Sequence, residues 1–251
     1  MLRLFNPNSI KLAKETIKVS PSGFRYGFIA NLFYEDAFNR LTNTFPKIKG
    51  FSLVDKQSGG GRKRFYVGPV YDTNKNQDCA CHLVDLPKVW KDTLKESAST
   101  ELMGLLKDST GINFNSLCTF GFTYGNEGCV QEPHVDGAVR EYDVNPVHST
   151  IACLMYFNKE EGGIGGTCVY DIDQKTILFQ APSLRNGLFF FEQHPDAWHG
   201  FPMMPKGAER RLISLAYSQE KNPIDLKTSL AHQIVCVNRY KHFVKKLVGR
   251  R

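Results

Sequence analysis

The sequence predicts a mainly β protein, a jelly-roll or a related barrel, with flanking helices. The first observation is a change of composition at Leu117, after which short β-branched and aromatic runs alternate with Gly, Pro, Asn and Asp. The second is that these runs recur at intervals of roughly ten residues, a spacing typical of all-β sandwiches and barrels. The third is that segments before Leu117 have helical periodicity, so helices are expected to cover one sheet.

The predicted elements follow in chain order. Helices are expected at 9–19 with Asn8 or Ser9 as cap, at 34–45 where Pro46 ends the helix, at 87–97, and at 99–108 followed by Thr110 and Gly111. Strands are expected at 24–29, 117–124, 129–135, 149–158, 167–172, 175–180, 187–192, 198–203 and 211–218. A last helix is expected at 225–248.

One domain accounts for the whole chain, because barrels of about 200–250 residues commonly fold as one unit. We expect a single domain over 1–251, with a mostly helical part at 1–112 packed on the barrel core at 117–218, and a C-terminal helix at 225–248 that carries a basic tail. Hydrophobic residues make up 41% and charged residues 23% of the chain, which excludes overall disorder.

Several composition features limit the location and partners of the protein. The longest apolar runs, 151–157 and 188–191, are far short of the ~20 residues that cross a bilayer, so no membrane span is expected. The N-terminus lacks the apolar core of a secretory signal, and a cytoplasmic location is expected.

The seven cysteines lack framework spacing and are expected to be reduced and buried. Cys79, Cys81 and His82 suggest a metal clip, but no second Cys/His pair lies at zinc-finger distance, which argues against it.

The net charge of +7 invites a nucleic-acid hypothesis until the charges are located. Residues 239–251 contain six Lys or Arg residues and no acid, so the rest of the chain is nearly neutral. We interpret the basic tail as a solvated helix face rather than a device for binding polyanions.

Candidate metal ligands lie in the β region. His134 and Asp136 form an H-x-D pair, and on a strand both side chains point to the same face because side-chain direction repeats every two residues. The pair alone has little weight, but His199 follows, and then the adjacent Arg210 and Arg211. Two imidazoles and one carboxylate bind one face of Fe(II) and leave the other positions open. A nearby guanidinium can hold a carboxylate through two hydrogen bonds.

At this point the sequence resembles the Fe(II)/2-oxoglutarate-dependent dioxygenases, and within them the prolyl-hydroxylase-like branch. The resemblance covers about residues 20 to 220. It rests on Phe45-Pro46, on Thr110-Gly111-Ile112, on 122–126 and 133–136, on 153–158, on Gly165-Gly166-Thr167, on 189–191, on Trp198-His199-Gly200 and on 211–215. The family's fold is the double-stranded β-helix, a cupin-like jelly-roll.

The resemblance implies roles for individual residues. His134, Asp136 and His199 would hold the iron, and Arg211 would bind the distal carboxylate of 2-oxoglutarate. Arg211 is preferred over Arg210 because the family's strand often carries an aromatic residue six positions later, where Tyr217 stands, although the spacing from His199 fits Arg210 better. Tyr124 and Tyr156 match positions where this branch places phenols against the co-substrate; core packing is the alternative for both.

The implied activity is hydroxylation of an unactivated C–H bond with Fe(II), 2-oxoglutarate and O₂, with ascorbate as a supporting reductant. The resemblance favours a prolyl or other amino-acid side chain, in a peptide or as a small molecule, as the substrate. Two alternatives remain open. One is oxidative demethylation of nucleic acid, motivated by the basic tail but opposed by the nearly neutral body. The other is a barrel that binds a ligand without metal or catalysis.

Overall fold

Two antiparallel sheets and a layer of helices form the computed structural model, which describes residues 3–46, 52–53, 63–66, 87–136 and 149–219. The helices are α1 (Pro7–Leu12), which continues as a 3-10 helix (Ala13–Thr16), α2 (Glu35–Asn43), α3 (Lys88–Ser97) and α4 (Thr100–Thr110). The strands are β1 (Lys18–Val19), β2 (Arg25–Ala30), β3 (Ser52–Leu53), β4 (Lys63–Tyr66), β5 (Ser116–Asn126), β6 (Gln131–His134), β7 (Ser149–Phe157), β8 (Cys168–Tyr170), β9 (Ile177–Gln180), β10 (Arg185–Glu192), β11 (His199–Phe201) and β12 (Glu209–Ser218).

The strands divide into a large and a small sheet. The large sheet has eight strands in the order β1-β2-β10-β7-β12-β5-β4-β3, and the small sheet has four in the order β6-β11-β8-β9. Every strand pair in the described residues is antiparallel. From β5 to β12 the chain crosses repeatedly between the two sheets, so residues distant in sequence meet in the space between them.

The large sheet has a different partner on each face. On one face, Phe122 of β5 and Ile213 of β12 pack beneath Trp90 of α3 and Leu106 of α4 in the larger apolar core. On the other face, residues such as Tyr156, Phe189 and Leu212 form a second core together with Val169 and Phe179 of the small sheet. Because strand side chains alternate between faces, neighbours in one strand belong to different cores.

The predicted architecture, mainly β with flanking helices, is confirmed. Each strand expected from 117 to 218 is present, with boundaries shifted by a few residues. Helix α4 ends where predicted, with Gly111 in the left-handed conformation at φ +68°. Among the described helices, none has the length and apolarity required to cross a bilayer. Cys129, Cys153 and Cys168 are free and buried, as expected for reduced thiols.

The N-terminal helix prediction is wrong in its second half. The α-helix ends at Leu12, one 3-10 turn follows, and Lys18 and Val19 pair with Tyr26 and Arg25 as an edge strand. Strands β3 and β4 were not predicted from the sequence. The predicted helix at 225–248, the basic tail and the Cys79/Cys81/His82 cluster lie outside the described residues.

Candidate metal centre and anion-binding cavity

Two neighbouring strands of the small sheet bring the predicted metal ligands together. His134 at the end of β6 lies directly opposite His199 of β11 in the antiparallel register, and their ring centroids are 4.2 Å apart. Asp136 follows β6, and its Oδ1 lies 3.6 Å from His199 Nε2 and 3.9 Å from His134 Nε2. The three ligand atoms are within 4.8 Å of one another. One cation could therefore contact all three side chains.

Backbone carbonyls orient both imidazole rings. His134 Nδ1 lies 3.0 Å from the carbonyl oxygen of Glu132, and His199 Nδ1 lies 2.9 Å from that of Ala197. Because a carbonyl oxygen only accepts hydrogen bonds, each Nδ1 carries a proton, and each Nε2 is the ring nitrogen that faces Asp136 Oδ1. This is the state of a metal-binding histidine whose other nitrogen is held by the surrounding protein.

Two glutamine amides contact the candidate ligands. Gln193 follows β10 and donates from Nε2 to Asp136 Oδ2 at 2.8 Å. Gln131 of β6 donates from Nε2 to His134 Nε2 at 2.7 Å, so a metal that binds this nitrogen would replace that hydrogen bond. Partial desolvation raises the pKa of Asp136, but His199, Gln193 and His134 beside it lower it by more, which places the pKa below its usual range. The carboxyl group is therefore ionised and ready to bind a cation.

A cavity extends from the candidate ligands into the space between the two sheets. Its lining combines the three ligands with polar and apolar side chains from both sheets: Thr123, Gln131, His134, Asp136, Ala152, Leu154, Thr167, Phe191, His199, Arg210, Leu212 and Ser214. The ligand end is accessible, since the side chains of His134 and Asp136 are 29% and 41% exposed. Arg210, in contrast, is only 3% exposed. The cavity therefore has a candidate metal-binding end near solvent and a cationic end inside the protein.

Arg210 is held by several groups at the inner end. Its Nε donates to the carbonyl oxygen of Gly165 at 2.9 Å, and its Nη2 donates to Thr167 Oγ1 at 2.6 Å. The guanidinium carbon lies 4.3 Å from the ring centroid of Phe201 and 5.6 Å from that of Tyr156. These contacts fix the plane of a buried cation that lines the cavity, which is the arrangement required to bind an anionic group.

The structure places Arg211 and Tyr124, both expected to bind 2-oxoglutarate, outside the lining of the cavity. Arg211 forms an ion pair with Glu209 at 2.8 Å, and Tyr124 lies opposite Arg211 in the register and donates to Glu209 at 3.3 Å. Neither residue lines the cavity, whereas Arg210 and Thr123, their neighbours in the sequence, do. The reason is the alternation of side chains along β5 and β12.

Tyr156 lies behind the inner end of the cavity, where it contacts Thr167 and does not itself line the cavity. Its ring is fully buried, and its hydroxyl donates to Thr167 Oγ1 at 2.7 Å while it accepts a hydrogen bond from the Thr167 backbone amide at 3.2 Å. Thr167 itself lines the cavity. The phenol thus supports the hydroxyl that faces the cavity.

Several site residues were missed in the sequence analysis. Thr123 and Ser214 could have been found by strand alternation, once Arg210 rather than Arg211 was placed in the cavity. Thr167 was part of the quoted Gly-Gly-Thr segment but received no role. Gln131 and Gln193 had no sequence signal, because their contacts depend on the register of strands and on a turn that brings Gln193 to Asp136.

Sequence comparisons find no matching protein family and no matching curated protein. Solved structures do match. A prolyl hydroxylase from Trichoplax adhaerens, in complex with a hypoxia inducible factor peptide fragment, has a TM-score of 0.55 at 15% identity, covering 78% of this chain and 84% of that one. The viral collagen prolyl hydroxylase of Paramecium bursaria Chlorella virus-1, as a 2-oxoglutarate complex, has a TM-score of 0.52 at 13% identity, covering 78% and 96%.

A third similar structure is HygX from Streptomyces hygroscopicus with nickel and 2-oxoglutarate bound, with a TM-score of 0.52 at 10% identity, covering 79% of this chain and 84% of that one. All three similarities span most of both chains at low sequence identity. The chain therefore shares its fold with prolyl hydroxylases and related 2-oxoglutarate-binding proteins.

Proposed function

We propose that this chain is an Fe(II)- and 2-oxoglutarate-dependent oxygenase that hydroxylates an unactivated C–H bond. The observation that carries the proposal is a single cavity with His134, Asp136 and His199 at its accessible end and the buried Arg210 at its inner end. The fold shared with two prolyl hydroxylases and with the nickel- and 2-oxoglutarate-bound HygX supports it.

The donor set fits Fe(II). His134 and His199 offer Nε2 lone pairs, and Asp136 offers an ionised carboxylate oxygen on the same side. Two imidazoles and one carboxylate on one face of Fe(II) leave positions for an organic co-substrate and O₂. When bound, Fe(II) supplies the chemistry in which 2-oxoglutarate, O₂ and the substrate yield succinate, CO₂ and the hydroxylated product.

Arg210, not Arg211, is the residue we assign to the distal carboxylate of 2-oxoglutarate. The keto-acid end of the co-substrate would lie at the metal-binding end, and the other carboxylate would reach the guanidinium. A carboxylate at that position would be desolvated, so a fixed guanidinium contributes strongly to its binding.

Thr167 gives the inner end a second donor. Its Oγ1 accepts hydrogen bonds from Arg210 and from Tyr156, which occupies both of its lone pairs. Its own proton is then directed toward the cavity that the side chain lines. The reverse arrangement, donation from Thr167 to Tyr156, would leave the fully buried phenol without an acceptor among the described residues, and is disfavoured. Tyr156 thus acts as a positioning residue.

The strand order supports a double-stranded β-helix. Strands β5, β12, β7 and β10 are neighbours in the large sheet, and β6, β11, β8 and β9 form the small one. The chain therefore enters alternate sheets as it passes from β5 to β8 and again from β9 to β12. We take 117–218 as this core, 1–112 as the mostly helical part that packs on it, and 1–251 as one domain.

The substrate enters at the exposed metal-binding end, since the inner end is closed by Arg210. We assign it to the amino-acid class, a prolyl or other side chain in a peptide or a small molecule. Among the similar structures, one holds a peptide fragment and another hygromycin B, which matches this range of sizes.

Succinate formation tests the proposal. The purified protein, with added Fe(II), 2-oxoglutarate and ascorbate, is expected to release succinate, and an extract screen is expected to reveal a product heavier by one oxygen atom. Asp136→Ala is expected to abolish both signals while the far-UV circular dichroism spectrum is unchanged, because the carboxylate is half-exposed and contributes little core. Full activity in Asp136→Ala would contradict the metal assignment.

A further inference from the structure

We infer that Gln193 is a positioning residue that holds Asp136 as a one-oxygen metal ligand, an inference that rests on the proposed function. Gln193 Nε2 donates to Asp136 Oδ2 at 2.8 Å, while Oδ1 of the same carboxylate is the oxygen that faces the two histidines. The two oxygens of Asp136 therefore have separate partners.

The orientation of the Gln193 amide follows from its partner. The amide nitrogen, which only donates hydrogen bonds, is the Gln193 atom beside the Asp136 carboxylate, which accepts at Oδ2. The amide oxygen is then left buried, with no hydrogen-bond partner among the described residues. A buried orphan acceptor is unfavourable for stability. The hydrogen bond from Nε2 to Asp136 therefore fixes the Gln193 side chain, although the amide oxygen has no partner among the described residues.

The backbone around Gln193 holds the amide in place. Its backbone amide donates to the carbonyl oxygen of Thr150 in β7 at 3.0 Å. The preceding Glu192 forms an ion pair with Arg25 at 3.1 Å, and the following His194 stacks on Phe24 at 5.8 Å between ring centroids. Asp136, by comparison, follows the end of β6. The fixed amide of Gln193, which follows β10, therefore orients a carboxylate that follows β6.

The contact of Gln193 with Asp136 Oδ2 affects how many coordination positions of a bound metal ion would stay open. A carboxylate that binds through both oxygens fills one position more than a carboxylate that binds through one. With Oδ2 held by Gln193, Asp136 and the two histidines would fill three positions of a six-coordinate ion. Three positions would then stay open, which is the number that a chelating keto acid and O₂ require. Partners of ligating groups commonly change metal affinity 10- to 100-fold when they are removed.

The test compares Gln193→Met with Gln180→Met by titration of the metal-free protein with Co(II), followed by absorption spectroscopy. Methionine keeps the length and flexibility of glutamine but removes the amide. Gln180 of β9 is a matched control, because it is exposed and its amide contacts only the carbonyl oxygen of Gly163 at 3.4 Å in the described structure. We expect the Co(II) dissociation constant to rise roughly 10- to 100-fold in Gln193→Met and to stay within about twofold in Gln180→Met.

The absorption spectrum adds a readout that a purely structural role would not change. Release of Oδ2 is expected to alter the ligand-field bands of bound Co(II) in Gln193→Met, while circular dichroism is unchanged because the substitution also removes the orphan oxygen. If Gln193→Met does not fold, Gln193→Asn keeps the amide but shortens its reach, and the same weakening is expected.

The outcomes separate the two proposals. Wild-type affinity and an unchanged spectrum in Gln193→Met would overturn the role of Gln193 and leave the metal site intact. Absence of Co(II) binding in the wild type would overturn the metal site, and with it this inference.

Discussion

Arg210 and Arg211 show that a difference of one position along a strand determines whether a side chain lines the cavity. Side chains along β12 alternate, so that Arg210, Leu212 and Ser214 line the cavity while Ile213 and Leu215 pack beneath the helices. The sequence argument placed Arg211 on the same face as Tyr217, and this is the arrangement observed. However, that face is the helix-covered one, since the Tyr217 hydroxyl donates to the carbonyl oxygen of Ser97 in α3. The spacing from His199 favours Arg210, which is the arginine that lines the cavity.

Substitution of each arginine tests this assignment. Arg210→Ala is expected to raise the 2-oxoglutarate KM roughly thirtyfold or more, because loss of a buried charge partner costs about 2–5 kcal/mol. Arg211→Ala removes a contact with Glu209 outside the cavity and is expected to change this KM by less than about threefold. Succinate formation at varied 2-oxoglutarate provides both values. The opposite ranking would assign the carboxylate to Arg211.

Thr167 and Tyr156 can be separated in the same way. Thr167→Val removes the proposed direct donor to the anion, and a hydrogen bond to a charged group is worth about 1.5–3 kcal/mol, so the 2-oxoglutarate KM should rise roughly ten- to hundredfold. Tyr156→Phe removes only the phenol behind it, and a change of about threefold or less is expected. Equal effects of the two variants would mean that Thr167 has no direct contact with the co-substrate.

At the scale of elements, the sequence predicted the strands from β5 to β12 more accurately than it predicted the N-terminal segment. Alternating runs bounded by Gly, Pro and Asn located every strand from β5 to β12. The helix predicted at 9–19 failed because its second half contains the β-branched Ile17 and Val19. Ser20 and Gly23 then form a turn, closed by a hydrogen bond from the Gly23 amide to the Ser20 carbonyl, which returns the chain to pair with β2. Helical periodicity along 9–19 did not reveal this pairing with the next strand.

Two glycines of α4 have opposite expected effects on stability. Gly111 ends the helix at φ +68°, where an alanine side chain costs about 1–2 kcal/mol, and its added Cβ would lie 2.9 Å from Arg25 Nη1. Gly111→Ala is therefore expected to lower the free energy of unfolding. Gly104 lies inside the helix with open space around it, and Gly104→Ala is expected to raise the free energy of unfolding by about 0.5–1 kcal/mol. Urea denaturation measures both changes, and equal shifts of the same sign would contradict the assignment of Gly111 as the residue that ends α4.

At the scale of the whole molecule, the cavity is a product of the packing of the two sheets. The sequence identified the types of metal ligand and their order in the chain, because H-x-D and a later histidine are local signals. It did not identify the contact of Gln193 with Asp136, which spans 57 residues, or the face of β12 that borders the cavity. Both depend on how the strands pair and how the sheets stack, and neither leaves a pattern in a single segment.

Ligand-dependent stabilisation tests the cavity as one unit. The histidines belong to the small sheet and Arg210 to the large one, so a metal ion and 2-oxoglutarate bound together would connect both sheets in the folded state only. At a hundredfold excess over its dissociation constant, a ligand adds about 2.7 kcal/mol, and a chain of this size should melt roughly 5–10 °C higher.

The order of addition discriminates between an oxygenase site and a simple binding barrel. Mn(II) alone is expected to raise the melting temperature, and 2-oxoglutarate is expected to raise it further only after Mn(II), because the keto-acid end requires the metal. Asp136→Ala should lose both shifts, and Arg210→Ala only the second. Stabilisation by 2-oxoglutarate without metal, equal in the wild type and in Asp136→Ala, would instead mean that the Arg210 end binds anions independently, and would favour a ligand-binding protein without a catalytic metal centre.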